Sequence, residues 1–231
     1  MISTLRLTEA FVEAADTLVA DFDLVDFLHD LTDHAAAVSG ADAVGLVLGD
    51  QRGVLEFMAA SNDSGEALEL FQLQAEEGPC LDCFRTHEPV INADLGNAED
   101  LWPTFAPRAR AAGFQSVHAF PMRLRSEVIG ALNMFSTTRL NFETEEVRVV
   151  QSLADVATIA ILQQRGIARA EALTEQLQGA LNSRIVIEQA KGAVAQRDGI
   201  TVDEAFAQMR RQARSEGRRL LDIAGEALQR G

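Results

Sequence analysis

Apolar residues recur along this 231-residue chain with two different periods, and the change from one to the other divides it. Residues 7–38 carry a helical pattern that breaks near Asp21-Phe22-Asp23, so two helices are predicted there. In the second, Leu24, Phe27, Leu28, Leu31 and Ala35 recur at spacings of three and four, the mark of one buried face. Gly40 is placed to stop that helix. The apolar runs 43–48 and 54–60 flank Gly49-Asp50-Gln51-Arg52-Gly53 and predict a hairpin. Residues 61–77 are polar and receive no element. Pro89-Val90-Ile91-Asn92 predicts a short strand and Leu101 to Ala112 a helix. Ser116–Leu124 and Val128–Phe135 predict a second hairpin around Arg125-Ser126-Glu127. Pro121 assigns its strand an edge position or a bulge, because proline has no N–H for the ladder.

From Phe142 the period becomes helical for a long stretch. Leu153, Val156, Ala160, Gln163, Ile167, Ala170, Thr174, Leu177 and Leu181 alternate spacings of three and four. That is an a/d seam with polar entries at Gln163 and Thr174 that would set register. Its early half is expected to pack on the sheet, and the seam as a whole predicts a dimeric coiled coil. Thr201-Val202-Asp203-Glu204 fits a capping box, preceded by Gly199 as a helix stop. Ala205, Phe206, Met209 and Ala213 then give an apolar face, Gly217 closes the helix, and a last helix is expected over Arg218 to Leu228. Internal repeats and low-complexity tracts are absent.

An apolar fraction of 47% with 24% charged residues is that of a globular chain able to bury a core. Two Cys cannot make a disulfide scaffold. No apolar run reaches the ~18 residues of a membrane span. The N-terminus lacks the basic-then-apolar layout of a signal peptide, so a cytoplasmic protein without a membrane partner is expected. The net charge of −15 argues on average against nucleic acid, yet it is unevenly spread. Residues 183–231 hold nine bases and seven acids, a net +2, whereas residues 1–182 hold 11 bases and 28 acids, a net −17. A change of sign between segments points to separate tasks. Among the 20 bases there is one lysine, Lys191.

Cys80-Leu81-Asp82-Cys83 is a C-x-x-C pair with His87 four residues on. A zinc site needs about four ligands, and His118 is the nearest candidate to complete one. A redox reading needs the pair at a helix start, which Glu77-Gly78-Pro79 supplies, with a lowered thiol pKa as its consequence. The plainest reading is a pair of structural thiols; neither metal nor cofactor is implied. The four histidines are scattered, and there is no nucleophile elbow, H-E-x-x-H or P-loop. The expectation is a protein that is not an enzyme.

The basic tail is more informative. On one helix Arg184 and Lys191, with Glu188, lie along a stripe, and Arg197 sits at its end. On the next, Arg210, Arg214 and Arg218 step by four, widened by Arg211 and Arg219. Such a face is either a solvated surface or a phosphate-binding one, with Ala190, Gly192 and Ala205 small enough to let a backbone approach. Phe206 is the only aromatic there, so contact with a folded RNA or a duplex fits better than threading a single strand.

Ser183-Arg184, Ile187-Glu188, Ala190-Lys191-Gly192, Arg197, Asp203-Glu204-Ala205-Phe206, Met209-Arg210 and Ala213-Arg214 together resemble the ANTAR domain, an RNA-binding module of transcription antitermination. The resemblance covers roughly residues 170–230 and departs from the family at Ala193-Val194-Ala195, where bulkier Leu-Met is common. Residues 24–165 are similar to a GAF sensor domain, through Glu77-Gly78-Pro79-Cys80-Leu81-Asp82 and Pro89-Val90-Ile91. With the first helix of the pattern taken over 1–21, the resemblance implies an α+β protein: a GAF-like antiparallel sheet flanked by helices over 22–165, a helical linker over 166–182, and a three-helix ANTAR-like bundle over 183–231. It implies a homodimeric regulator that binds RNA hairpins through Ala190 and Lys191, with Arg210 and Arg214. Arg184, Gly192, Arg197 and Ala205 join the candidate set from the stripe and the small residues beside it. A small-molecule ligand or a protein partner at the GAF-like domain would supply the signal. Two other classes stay open: a DNA-binding regulator, and a redox or small-ligand sensor acting through protein contacts.

Overall fold

The computed structural model describes Val12, residues 23–50 and residues 52–229. The helix expected over 1–21 therefore lies outside the described residues, apart from Val12, which is helical and exposed. The chain divides into two compact units, Met1–Arg165 and Gly166–Gly231.

The first unit is built on a five-stranded antiparallel sheet of order β2-β1-β5-β4-β3. Its strands are β1 (Ala43–Gly49), β2 (Leu55–Ala60), β3 (Val90–Asp94), β4 (Ser116–Leu124) and β5 (Glu127–Ser136). Both predicted hairpins are present. Side chains alternate between the two faces of a strand, and here both faces are buried. On one, Val44, Leu46, Leu48, Phe120, Met122, Leu132 and Met134 pack against α1 (Leu24–Ser39) and the start of α5 (Thr144–Asp198). Asp23 caps α1 by accepting from the Val25 and Asp26 N–H groups, and Gly40 ends it in a left-handed conformation.

On the opposite face lie Ala43, Val47, Val117, Ala119, Ala131 and Phe135. They meet α2 (Asp63–Ala75), α3 (Pro79–Thr86), α4 (Phe105–Ala111) and the connection before α4, which brings Leu95 and Trp102. Helix α2 occupies the stretch for which the sequence predicted nothing. Pro121 is not on an edge strand. It lies beyond Ala119, the last β4 residue paired to Val90 of β3, and next to a register shift at Met122/Arg123. The proline thus sits where one side of the strand has lost its neighbour, and its carbonyl accepts from Gln151 Nε2 at 2.8 Å.

Helix α5 runs unbroken for 55 residues and contributes to both units. In the second unit its C-terminal part packs with α6 (Val202–Glu216) and α7 (Leu220–Gln229) around Ala190, Val194, Ala205, Met209, Ala213, Ile223 and Ala224. The Thr201 hydroxyl accepts from the Glu204 N–H while the Glu204 carboxylate accepts from the Thr201 N–H, which is the capping box read in the sequence. Helix α6 ends at Glu216 with Gly217 left-handed, so Arg218 is off the helix on which it was expected. The seam is divided as well. Leu153 and Ala160 are buried in the core of the first unit, whereas Ile167, Leu177 and Leu181 are exposed, as are Leu173 and Ile185 beside them.

Candidate nucleic-acid interface

The predicted RNA contacts fall into three groups once the second unit is folded. Ala190 and Ala205 are fully buried. Their small size lets α5 and α6 pack closely, so neither offers a surface to RNA, and the reason given for them in the sequence is replaced by core packing. Arg184, Gly192, Arg197, Arg210 and Arg214 are exposed. Lys191 is partly covered, with 15% of its side chain accessible.

What covers Lys191 is informative. Its Nζ lies 5.1 Å from the centroid of the Phe206 ring, and the guanidinium carbon of Arg210 lies 5.7 Å from the same centroid. Lys191 comes from α5, whereas Phe206 and Arg210 are one turn apart on α6. Two cations far apart in sequence are thus gathered on one aromatic ring. The Lys191 ammonium also donates to both Glu188 oxygens, at 2.9 and 3.0 Å.

The other bases of the unit differ in what holds them. Arg197 is bidentate to Asp198, at 2.7 and 3.1 Å, which holds the Asp198 carboxyl below its ordinary pKa. Arg218 pairs with Glu216 and Glu226, and Arg219 with Asp222. Among the described residues Arg184, Arg210, Arg211 and Arg214 have no carboxylate partner. A cation already neutralised by a carboxylate must give that up before it can hold a phosphate, so the unpaired set is the more available one.

The GAF domain model matches residues 23–162, well over half of the chain. The chain belongs to the GAF domain family. The ANTAR domain model matches residues 175–226, so the residues around Phe206 belong to an ANTAR domain. A GAF sensor domain joined to an ANTAR domain is the composition of a regulator with a sensor. Solved structures agree on the fold of the first unit. A GAF domain of a phosphoenolpyruvate-protein phosphotransferase from Coxiella burnetii matches with TM-score 0.54 and 20% identity, over 72% of this chain and 99% of that one. The corresponding domain from Acinetobacter gives 0.52 and 18%, over 72% and 98%. Free methionine-R-sulfoxide reductase from Neisseria meningitidis, solved in complex with its substrate, gives 0.54 and 16%, over 72% and 96%. No curated protein matches the chain.

In the GAF domain the Glu77–Asp82 motif is a clamp. The Glu77 carboxylate accepts from the Thr104 and Phe105 N–H groups, both at 2.7 Å, at the start of α4. Asp82 accepts from Trp102 Nε1 at 2.8 Å. The Cys80 N–H donates to Gln72 Oε1 at 3.0 Å. Gly78 is left-handed, with φ +138°, and a Cβ there would overlap Gln72, so glycine meets both requirements. The motif binds α2, α3 and the approach to α4 together. Cys80 and Cys83 are fully buried, and burial pushes both thiols up, Cys83 to about 12. A helix start would favour a thiolate, but loss of water outweighs it here, so the shift is opposite to the one a redox reading would need, and the thiols fit the plainer structural reading. His118 cannot complete a metal site with these thiols. Ala119 packs with them, so its neighbour His118 points to the opposite face. There His118 Nδ1 accepts from the Asn92 N–H at 3.1 Å and Nε2 lies 3.1 Å from the Leu140 carbonyl; burial lowers its pKa to about 4. Among the described residues no group of three or more His, Cys, Asp and Glu could hold a metal ion.

Sequence reasoning missed Glu69. It is fully buried on the sheet face covered by α2 and α3, above Gly45, where a Cβ would overlap it. Asn133 Nδ2 donates to one of its oxygens at 2.7 Å and Gln72 Nε2 lies 3.2 Å from the other. Burial raises its pKa to about 8, against smaller lowering contributions from Asn133 and Cys80. Burial favours the neutral carboxylic acid over the carboxylate at this position.

Proposed function

We propose that the chain is a non-catalytic, cytoplasmic regulator whose ANTAR domain binds RNA stem-loops to promote transcription antitermination, under control of its GAF domain. The observation that carries this reading is the gathering of Lys191 and Arg210 on Phe206 within the ANTAR match, beside arginines that no carboxylate neutralises. A solvated face needs no such convergence of two helices. Among the described residues no helix is long and apolar enough to cross a membrane, which accords with the cytoplasmic reading. The row of exposed Leu173, Leu177, Leu181 and Ile185 on α5 supports a homodimer, since a second copy would cover it. Signal input is a small molecule or a protein partner at the GAF domain. A cleft of about 300 Å³ lined by Leu55, Leu73, Leu81 and Phe84, with Glu76 and Arg85, is large enough for the former.

The test is a filter-binding titration of the full chain with hairpin RNA across a salt series, competed with duplex DNA. Lys191→Ala with Arg210→Ala should weaken hairpin binding and flatten the logarithmic salt slope by about one per lost phosphate contact. An unchanged slope refutes the role of these two cations, and absent hairpin binding or equal competition by DNA refutes the RNA reading. Light scattering reads the assembly, and a monomer at micromolar concentration refutes the homodimer.

A further inference from the structure

Phe206 is the only aromatic residue between positions 166 and 231, yet it does not serve the core of its own domain. Its neighbour Ala205 and the following Met209 face inward, while Phe206 is only half-buried, with its ring beneath Lys191 and Arg210. We propose that Phe206 is a positioning residue of the interface: its ring holds Lys191 and Arg210 as a fixed pair of cations for the phosphates of a folded RNA, and no base stacks on it. This rests on the RNA reading given above.

An aromatic ring can hold a cation without cancelling its charge, which a carboxylate cannot do. Asp198 orients Arg197 but also cancels its charge, and the same holds for Glu216, Glu226 and Asp222 with Arg218 and Arg219. A ring attracts a cation through its quadrupole and carries no net charge, so it orients both cations without neutralising either. The arrangement also fixes two long, flexible side chains in advance, which lowers the ordering cost at binding. Glu188 pairs with Lys191, which releases that carboxylate when it takes a phosphate, whereas Arg210 is held by the ring alone. With cations over it, the ring is not free to stack a base, so it contributes to reading backbone shape.

The experiment compares hairpin-RNA affinity and salt slope for the full chain with Phe206→Leu, with Phe206→Trp and with pentafluorophenylalanine in place of Phe206. The fluorinated ring keeps the shape and inverts the quadrupole, so it tests the chemistry even if the leucine variant folds poorly by circular dichroism. Phe206→Leu and the fluorinated ring should each weaken binding about fivefold or more, and Phe206→Trp should preserve it. In a chain already carrying Lys191→Ala and Arg210→Ala, the Phe206 changes should have no further effect, because the coupling has been removed. An equal loss in both backgrounds overturns the proposal, since it means that the ring touches RNA itself or only supports the fold. Unchanged binding with the fluorinated ring overturns it as well. If the native chain binds no hairpin RNA, the RNA reading fails and this proposal falls with it; if the native chain binds and the cation double variant binds equally well, the proposal falls alone, and both outcomes are recognisable before any Phe206 variant is made.

Discussion

Replacing Glu69 with Gln should change the shape of the stability–pH curve of the GAF domain. In the unfolded chain a glutamate titrates near 4.5, whereas the buried Glu69 keeps its proton up to about 8. Between those values the native state binds the extra proton, so its stability falls as pH rises. Each unit is worth about 1.4 kcal/mol, and 3.5 units give about 5 kcal/mol, fully present below pH 4.5 and gone above pH 8. His118 acts with the opposite sign: its pKa falls from 6.5 to about 4 on folding, so its contribution grows as pH rises to 6.5. From 4.5 to 6.5 the two slopes oppose each other, and from 6.5 to 8 Glu69 alone leaves a fall of about 2 kcal/mol. The Glu69→Gln chain should lack that fall. Urea titrations followed by the fluorescence of Trp102, the one tryptophan and a buried part of this domain, measure the difference. The buried thiols enter only above their ordinary value of 9, outside the window. Parallel curves for the two proteins would refute a protonated Glu69.

Two smaller outcomes follow from local structure. Cys80 and Cys83 should resist a thiol-exchange reagent in the native protein at pH 8 and react, two per chain, once denatured; fast native reaction would contradict their burial and raised pKa. Thr201→Ala removes one half of the capping box of α6 and should destabilise the ANTAR domain by about 1 kcal/mol in thermal melts followed by circular dichroism.

The sequence was legible wherever its apolar period matched its burial. The strands around Val44–Leu48 and Phe120–Met134 read correctly, and Thr201 with Glu204 located the start of α6 because a cap is a local device. Helix α2 was illegible for a specific reason. Its buried face is Gly65, Leu68, Glu69 and Gln72, which has helical spacing but too little apolar character to show it. Asn62, whose side chain accepts from the Gly65 N–H, was the remaining local signal for its start. The candidate interface was legible in part. Charge and motif singled out Lys191 and Arg210, but their meeting on Phe206 depends on how α5 and α6 pack. That same packing is why Ala190 and Ala205 are small, a property the linear pattern could equally assign to contact with RNA.

The packing of Lys191 against Phe206 has a practical consequence at the bench, because no other ε-amine exists in the chain. An amine-selective acylating reagent can modify only this position and the chain's own amino terminus. The extent of labelling therefore measures how covered one aromatic surface is, and anything that settles over that surface should slow the reaction at a single, identifiable peptide.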